Sequence, residues 1–334
     1  PPGIAVGRDL YVEAFRQARG RGDLEGPNFD IEVPPDGYAW WYVDGISDDG
    51  ENALSVIGFI GSVFSPWYRW SGRKAPENNV CMNVATYGKG ARFAMTDRGR
   101  GTLKQTKDTL TIGPSSMHWD GNRLLIEVNE VSSPPFVSRI QGTIIVTPGG
   151  ITDREFLLTD DGTHVWRPLS PASRIEVDLG PRGKWSGTGY FDSNFGTRAM
   201  EADCAYWTWG RFPIEGGTRC FYEAVRRDGT EQIGSFMFHT DGRVEEVAPP
   251  PRQGMRRSLW GVRRATRGDP GSRPRQVKGM LDAPFYCRSV VRTVLDGQTS
   301  TGVHEALDLN RFRGPWLMPL LAVRVPRNFG WPKA

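Results

Sequence analysis

The chain has 334 residues, 38% of them hydrophobic, with 12 Trp, 16 Phe and 9 Tyr. That is ample apolar material for two packed domains or one large one, and it excludes a disordered chain. The formal net charge of +4 is too small to call for a nucleic-acid partner.

Within an irregular lead-in over residues 1–30, "RDLYVEAFRQAR" (8–19) has the spacing of one short amphipathic helix. Period-2 runs dominate after it, among them "YAWWYVDGIS", "LSVIGFIGSVF", "CMNVATYG", "RLLIEVNEV", "RIQGTIIVTP", "CFYEAVRR" and "GSFMFHTDGRVEEV". Asp-Gly pairs punctuate them at Asp49-Gly50, Asp120-Gly121, Asp161-Gly162, Asp228-Gly229 and Asp241-Gly242. Such turns between alternating segments are hairpin signals. The expected fold is all-β, with two antiparallel barrel or sandwich domains packed together and little helix. Residues 38–64 and 205–229 share an order: an aromatic strand, a polar turn, then an apolar strand. That echo predicts two similar β-domains, 1–180 and 181–334.

The longest apolar stretch, "ALSVIGFIGSVF" (53–64), is too short to span a bilayer as a helix. Cys81, Cys204, Cys220 and Cys287 form no CxxC pair and read as free, buried thiols. The four histidines are dispersed, so no metal site is expected. Residues 252–278 carry nine Arg or Lys and one acid. This run reads as the solvated outer face of strands, or as a patch for an anionic membrane surface. The apolar "PWLMPLLAV" (315–323) is a second candidate for membrane contact.

Two triplets carry possible chemistry: His164-Val165-Trp166 and Tyr190-Phe191-Asp192. Residues two apart on a strand share a face. If both faces point into one cavity, they bring together a carboxyl, an imidazole and two aromatic walls. A carboxyl in an apolar pocket keeps its proton to higher pH, because desolvation disfavours its charged form. Aromatic faces stabilise a cation over them. That set suits protonation of an alkene and shelter of the carbocation. The same residues also suit a turn cap and a core tyrosine, and spacing alone leaves both uses open. Neither a nucleophile elbow nor a dinucleotide fingerprint is present.

The strings "GYAWWYVDGISDDG", "GFIGSVFSPWYRW", "NVATYG", "RFAMTDRG", "MHWDGNRLLIEVNE", "THVWRPLSP" and "GTGYFDSNFG" together resemble the carotenoid 1,2-hydratase (hydroxyneurosporene synthase) family. The resemblance is dense over residues 36–212 and looser beyond. It implies two lipocalin-like β-domains, no organic cofactor or metal, and addition of water across the terminal C1–C2 double bond of acyclic carotenoids such as neurosporene and lycopene. The family's His-x-Trp falls on His164 and Trp166, and its Tyr-x-Asp on Tyr190 and Asp192. In that reading Asp192 is the acid, Trp166 and Tyr190 shield the cation, and His164 orients the water and accepts its proton. Tyr38, Trp40, Tyr42, Tyr206 and Trp209 are expected along the substrate path, and Asp44 is a reserve acid. The resemblance also implies a bacterial protein peripheral to the photosynthetic membrane, on its cytoplasmic side. A cofactor-free isomerase or cyclase of the same architecture and a non-enzymatic lipophile carrier are the rival readings.

Overall fold

The structure is a computed structural model that describes residues 26–134, 137–180 and 183–328. The helical pattern at 8–19 lies outside the described residues. The first sheet contains β1 (Tyr38–Ser47), β2 (Ala53–Ile60), β3 (Val80–Tyr87), β4 (Arg92–Met95), β5 (Leu103–Gln105), β6 (Thr109–Ile112), β7 (Ser115–Trp119), β8 (Leu124–Val131), β9 (Arg139–Pro148), β10 (Phe156–Leu157), β11 (His164–Asp178) and β12 (Lys184–Gly196). Its order is β4-β3-β2-β1-β12-β11-β9-β8-β7-β6-β5, with β10 paired to β11. The second sheet is built from β13 (Cys204–Ile214), β14 (Gly217–Arg226), β15 (Glu231–His239), β16 (Val244–Glu246), β19 (Arg275–Asp282), β20 (Tyr286–Leu295) and β21 (Gln298–Asp308). It runs β16-β15-β14-β13-β21-β20-β19. A separate ribbon pairs β17 (Arg252–Met255) with β18 (Arg264–Arg267).

The all-β architecture follows from the turn chemistry. Each of the five expected Asp-Gly turns joins two consecutive strands, and each of their glycines has φ between 71° and 96°. That left-handed region is open to glycine without a Cβ penalty. The two hairpins of the internal echo become β1–β2 and β13–β14. In both sheets the first strand also pairs with the last strand of its own sheet: β1 with β12, and β13 with β21.

β12 lies just beyond the expected division at 180/181. Residues 184–196 close the first sheet along the full length of β1, so the chain passes to the second sheet only after Gly196.

The first sheet curls over its own core. A Cβ on Gly58 of β2 would lie 2.8 Å from Leu110 of β6, so the absent side chain lets the sheet fold onto itself there. Ala39, Trp41 and Val43 of β1 point into this core with Leu110, Met117, Ile126, Ile144 and Phe191. Tyr38, Trp40 and Tyr42 point the other way, into a second core shared with Trp207, Trp209, Tyr222 and Phe236 of the second sheet. β1 and the distal part of β12 are therefore buried on both faces. Their outward-looking alternate residues are the walls of the space between the sheets.

Candidate active site

Antiparallel pairing sets Tyr42 opposite Asp192 and Asp44 opposite Tyr190. Trp166 lies opposite Asn194 on the other flank of β12. The side chains of Tyr42, Asp44, Trp166, Tyr190 and Asp192 project toward the second sheet. Asp192 is 4% exposed, at the floor of a cage of rings. Tyr190 and Trp209 lie 4.9 Å apart, Tyr42 and Trp209 5.6 Å, and Trp166 and Tyr222 5.3 Å, centroid to centroid.

Two neighbours donate to one oxygen of Asp192. The Tyr190 hydroxyl reaches Oδ2 at 2.6 Å and the Trp166 indole N–H reaches it at 2.9 Å. Oδ1 is buried and has no hydrogen-bond partner. Burial pushes the carboxyl up to about 8, against the two hydrogen bonds, and the charges of Glu305 and Asp44 push the same way. The neutral acid therefore persists at pH 7. With Oδ2 occupied by two donors, its proton belongs on Oδ1, facing the cage. Burial also drives the Tyr190 phenol well above its ordinary value, so it remains a donor.

His164 shares its strand face with Trp166 but serves a different cluster. Its Nδ1 is hydrogen-bonded to the Tyr38 hydroxyl at 2.9 Å and its Nε2 to Asp203 at 2.9 Å. Asp203 is held in turn by Arg198 at 2.6 Å. Partial burial pushes the Asp203 carboxyl up, but the bonds from His164 and Arg198 bring it below its ordinary value. Tyr38 and His164 meet across Gly196, the residue opposite both. A Cβ there would lie 2.7 Å from the Tyr38 ring and 2.8 Å from His164 Nδ1. Both imidazole nitrogens are thus engaged, one by Tyr38 and the other by Asp203.

Asp44 is fully buried, yet it is an ion-pair partner. Its Oδ1 accepts from Arg211 Nε at 2.8 Å and its Oδ2 from the Tyr42 hydroxyl at 2.8 Å. A carboxylate that accepts from a guanidinium is poorly suited to donate a proton. Of the expected path residues, Trp40 stacks on Tyr38 at 4.8 Å and on Trp207 at 6.0 Å, and Trp209 closes over Tyr190. Tyr206 differs. It is half-buried on the opposite face of β13, beside Thr208, in a groove with Arg252 and Arg257. Trp207 takes the inward position instead. The sequence reading also missed Tyr222, Phe236, Arg211, Arg288 and Glu305, which the second sheet brings to the cage. Arg288 sits 5.1 Å over the Tyr42 ring and bonds Glu305 at 2.6 Å.

The four cysteines are free and buried, as expected. Among the described residues, no group of three or more His, Cys, Asp or Glu could hold a metal ion, and no helix is long and apolar enough to cross a membrane. Within the basic run, Arg252 and Arg267 pair with Glu223 and Arg264 bonds Gln276. Arg256, Arg257, Arg263, Arg273 and Arg275 remain exposed. In the helix Leu317–Arg324, Leu317 and Met318 are buried while Leu320 and Val323 are exposed.

A family model described as carotenoid hydratase CrtC matches residues 56–334. The acyclic carotenoid 1,2-hydratase of Cereibacter sphaeroides is 61% identical over 276 residues, covering 83% of this chain and 99% of that protein. The acyclic carotenoid 1,2-hydratase of Rhodobacter capsulatus is 51% identical, with the same coverage of 83% and 99%. The chain belongs to the carotenoid hydratase family, and with it to the hydro-lyases. Its fold is similar to that of a putative AttH from Nitrosomonas europaea, with a TM-score of 0.57 at 14% identity over 84% of this chain and 97% of that one. It is also similar to CghA crystallised with Sch210972, with a TM-score of 0.52 at 12% identity over 83% and 89% of the two chains.

Proposed function

We propose that this carotenoid hydratase adds water across the terminal C1–C2 double bond of acyclic carotenoids such as neurosporene and lycopene, with Asp192 as the acid. The observation that carries this reading is the buried, partnerless Oδ1 of a carboxyl held neutral near pH 7. Asp192 gives its Oδ1 proton to C2. The π electrons of the double bond form the new C–H bond and leave a tertiary cation at C1. The faces of Tyr190, Trp166, Tyr42 and Trp209 surround that cation, each worth up to about 2 kcal/mol when water is excluded. Water bonds to C1 through oxygen, and its surplus proton returns to the Asp192 carboxylate. One carboxyl thus serves as acid and then as base. The engagement of both nitrogens of His164 supports giving it the role of positioning residue, through Tyr38 and Asp203.

The test is lycopene hydration in ¹⁸O-water. Wild-type protein should place label at C1, and Asp192→Asn should lose at least about a hundred-fold in rate, as expected for removal of a general acid. Undiminished labelling by Asp192→Asn would move the acid elsewhere. Folded protein that binds lycopene without labelling it would favour a carrier.

A substrate dissolved in lipid also calls for contact with a membrane. We assign it to the face where Leu259, Trp260 and Leu320 are exposed next to Arg256, Arg257 and Arg263. Co-sedimentation with anionic vesicles at low salt, lost at high salt, is the expected result. No co-sedimentation would leave these arginines a solvated surface.

A further inference from the structure

A cavity of about 340 Å³ lies on the face of the first sheet that carries Asp192. It is walled by Ile57, Phe59, Phe64, Phe93, Phe285 and Leu321. Trp260 and Leu320, both about half exposed, stand where it meets solvent. Its size is within the range of small-molecule sites, and its lining is mostly hydrocarbon and aromatic. A larger cavity of about 950 Å³ beside it mixes Met255, Leu259, Met280 and Leu281 with Arg256, Arg257, Arg273 and Arg275, so its lining carries far more charge.

Strand register ties the apolar cavity to the acid. Asn83 pairs with Ile57, Ile57 with Tyr42, and Tyr42 with Asp192. These four residues form one row across adjacent strands, and residues in a row share a face. Asn83 and Ile57 line the cavity. At roughly 4.8 Å per strand, the row from Asn83 to Asp192 spans about 14 Å. Tyr42 is the boundary between the two. Arg288, also in the cavity wall, covers its ring at 5.1 Å, while Tyr190 meets that ring at 6.0 Å from the side of the acid.

We propose that this cavity binds a segment of the polyene beyond the reacting isoprene unit, with Tyr42 and Arg288 as the partition that a long substrate must displace to reach Asp192. The proposal rests on the reading of the site as one for an acyclic polyene. It adds a second subsite, which separates binding of the chain from chemistry at its end. A hydrocarbon needs burial without hydrogen bonds, and this cavity offers that in line with the acid.

The test measures polyene binding in the Asp192→Asn background, so that turnover does not interfere. Ala283 lines the cavity and is partly buried. Ala283→Trp should fill the space and weaken lycopene binding at least ten-fold, followed by quenching of tryptophan fluorescence, at an unchanged melting temperature. Should that variant fail to fold, Ala283→Cys decides. The four native cysteines are buried, so a small maleimide reports on the new thiol. Lycopene should slow its modification at least ten-fold. Unaltered affinity in folded Ala283→Trp, or no protection of the new thiol, overturns the proposal. Activity is read separately: protection without ¹⁸O incorporation by the Asp192-containing protein would keep the subsite and overturn the hydratase reading. Incorporation without protection would do the reverse.

Discussion

The interface holds two Tyr-x-Asp triplets, Tyr42-Val43-Asp44 on β1 and Tyr190-Phe191-Asp192 on β12, lying antiparallel against each other. In each, the tyrosine hydroxyl donates to Oδ2 of its own aspartate, at 2.8 Å and 2.6 Å. Both carboxyls are buried. What separates them is the second oxygen. Arg211 occupies Oδ1 of Asp44, whereas nothing occupies Oδ1 of Asp192. Burial with a guanidinium makes an ion pair, and burial without one makes a proton donor. On the proposed reading, one motif therefore serves as a structural strut in one copy and as an acid in the other. The choice is made by the second sheet, which supplies Arg211.

The largest way to break this comparison is to remove the guanidinium. Arg211→Met leaves Asp44 buried without its counter-charge and Arg211's other partner, the Thr188 hydroxyl at 3.2 Å, without its donor. Breaking one side of a buried pair costs about 3–5 kcal/mol. Urea unfolding should lose that amount. A loss below about 1 kcal/mol would mean that the pair holds little of the interface together.

Much of this was legible before the structure. The Asp-Gly turns mark five hairpins, and a sixth, Asp296-Gly297 between β20 and β21, has the same signature and positive φ at both residues. Period 2 correctly set Tyr190 beside Asp192 and Trp166 on a common face, and Trp166 does reach Asp192. The same rule could have rejected Tyr206. It lies three residues from Trp209, an odd spacing that sends the two to opposite faces. The partners of Asp44 and His164 were not legible. Arg211 is 167 residues from Asp44, and Asp203 is 39 from His164. Their meeting depends on which sheet packs on which, and local periodicity carries no information on that. The expected division at 181 falls before β12, which pairs with β1 of the first sheet. A turn is visible in sequence, but the return of β12 to β1 is a long-range pairing.

A second effect should appear in pH dependence, and it should fall on Asp192. Its carboxyl is raised to about 8 in the folded chain, against about 3.9 in an unfolded one. Between those values the folded state holds a proton that the unfolded state has released. Stability contributed by this group is therefore full below about pH 4 and is lost as pH rises toward 8. Asp192→Asn removes that slope. Its stability relative to wild type should grow from pH 5 to pH 8 in paired urea titrations. The hydration rate should fall about ten-fold per unit above pH 8, as the acid form disappears. A rate that climbs through pH 9 would exclude Asp192 as the donor.

The finest distinction between the triplets lies in their tyrosines. The Tyr190 hydroxyl donates to Asp192 and favours the charged carboxylate, partly offsetting burial. Removing it as Tyr190→Phe should raise the Asp192 pKa further and move the alkaline limb of the rate profile upward. A hydrogen bond worth about 1 kcal/mol more to the carboxylate than to the neutral acid corresponds to roughly 0.7 pH unit. Tyr42→Phe removes the equivalent bond from Asp44, whose other oxygen stays with Arg211. That variant should leave the limb where it is. The two substitutions delete the same atom from the same motif, so matched pH–rate profiles compare them directly. A downward shift in Tyr190→Phe would mean that the hydroxyl stabilises the protonated acid, and that the proton resides on Oδ2 instead of Oδ1.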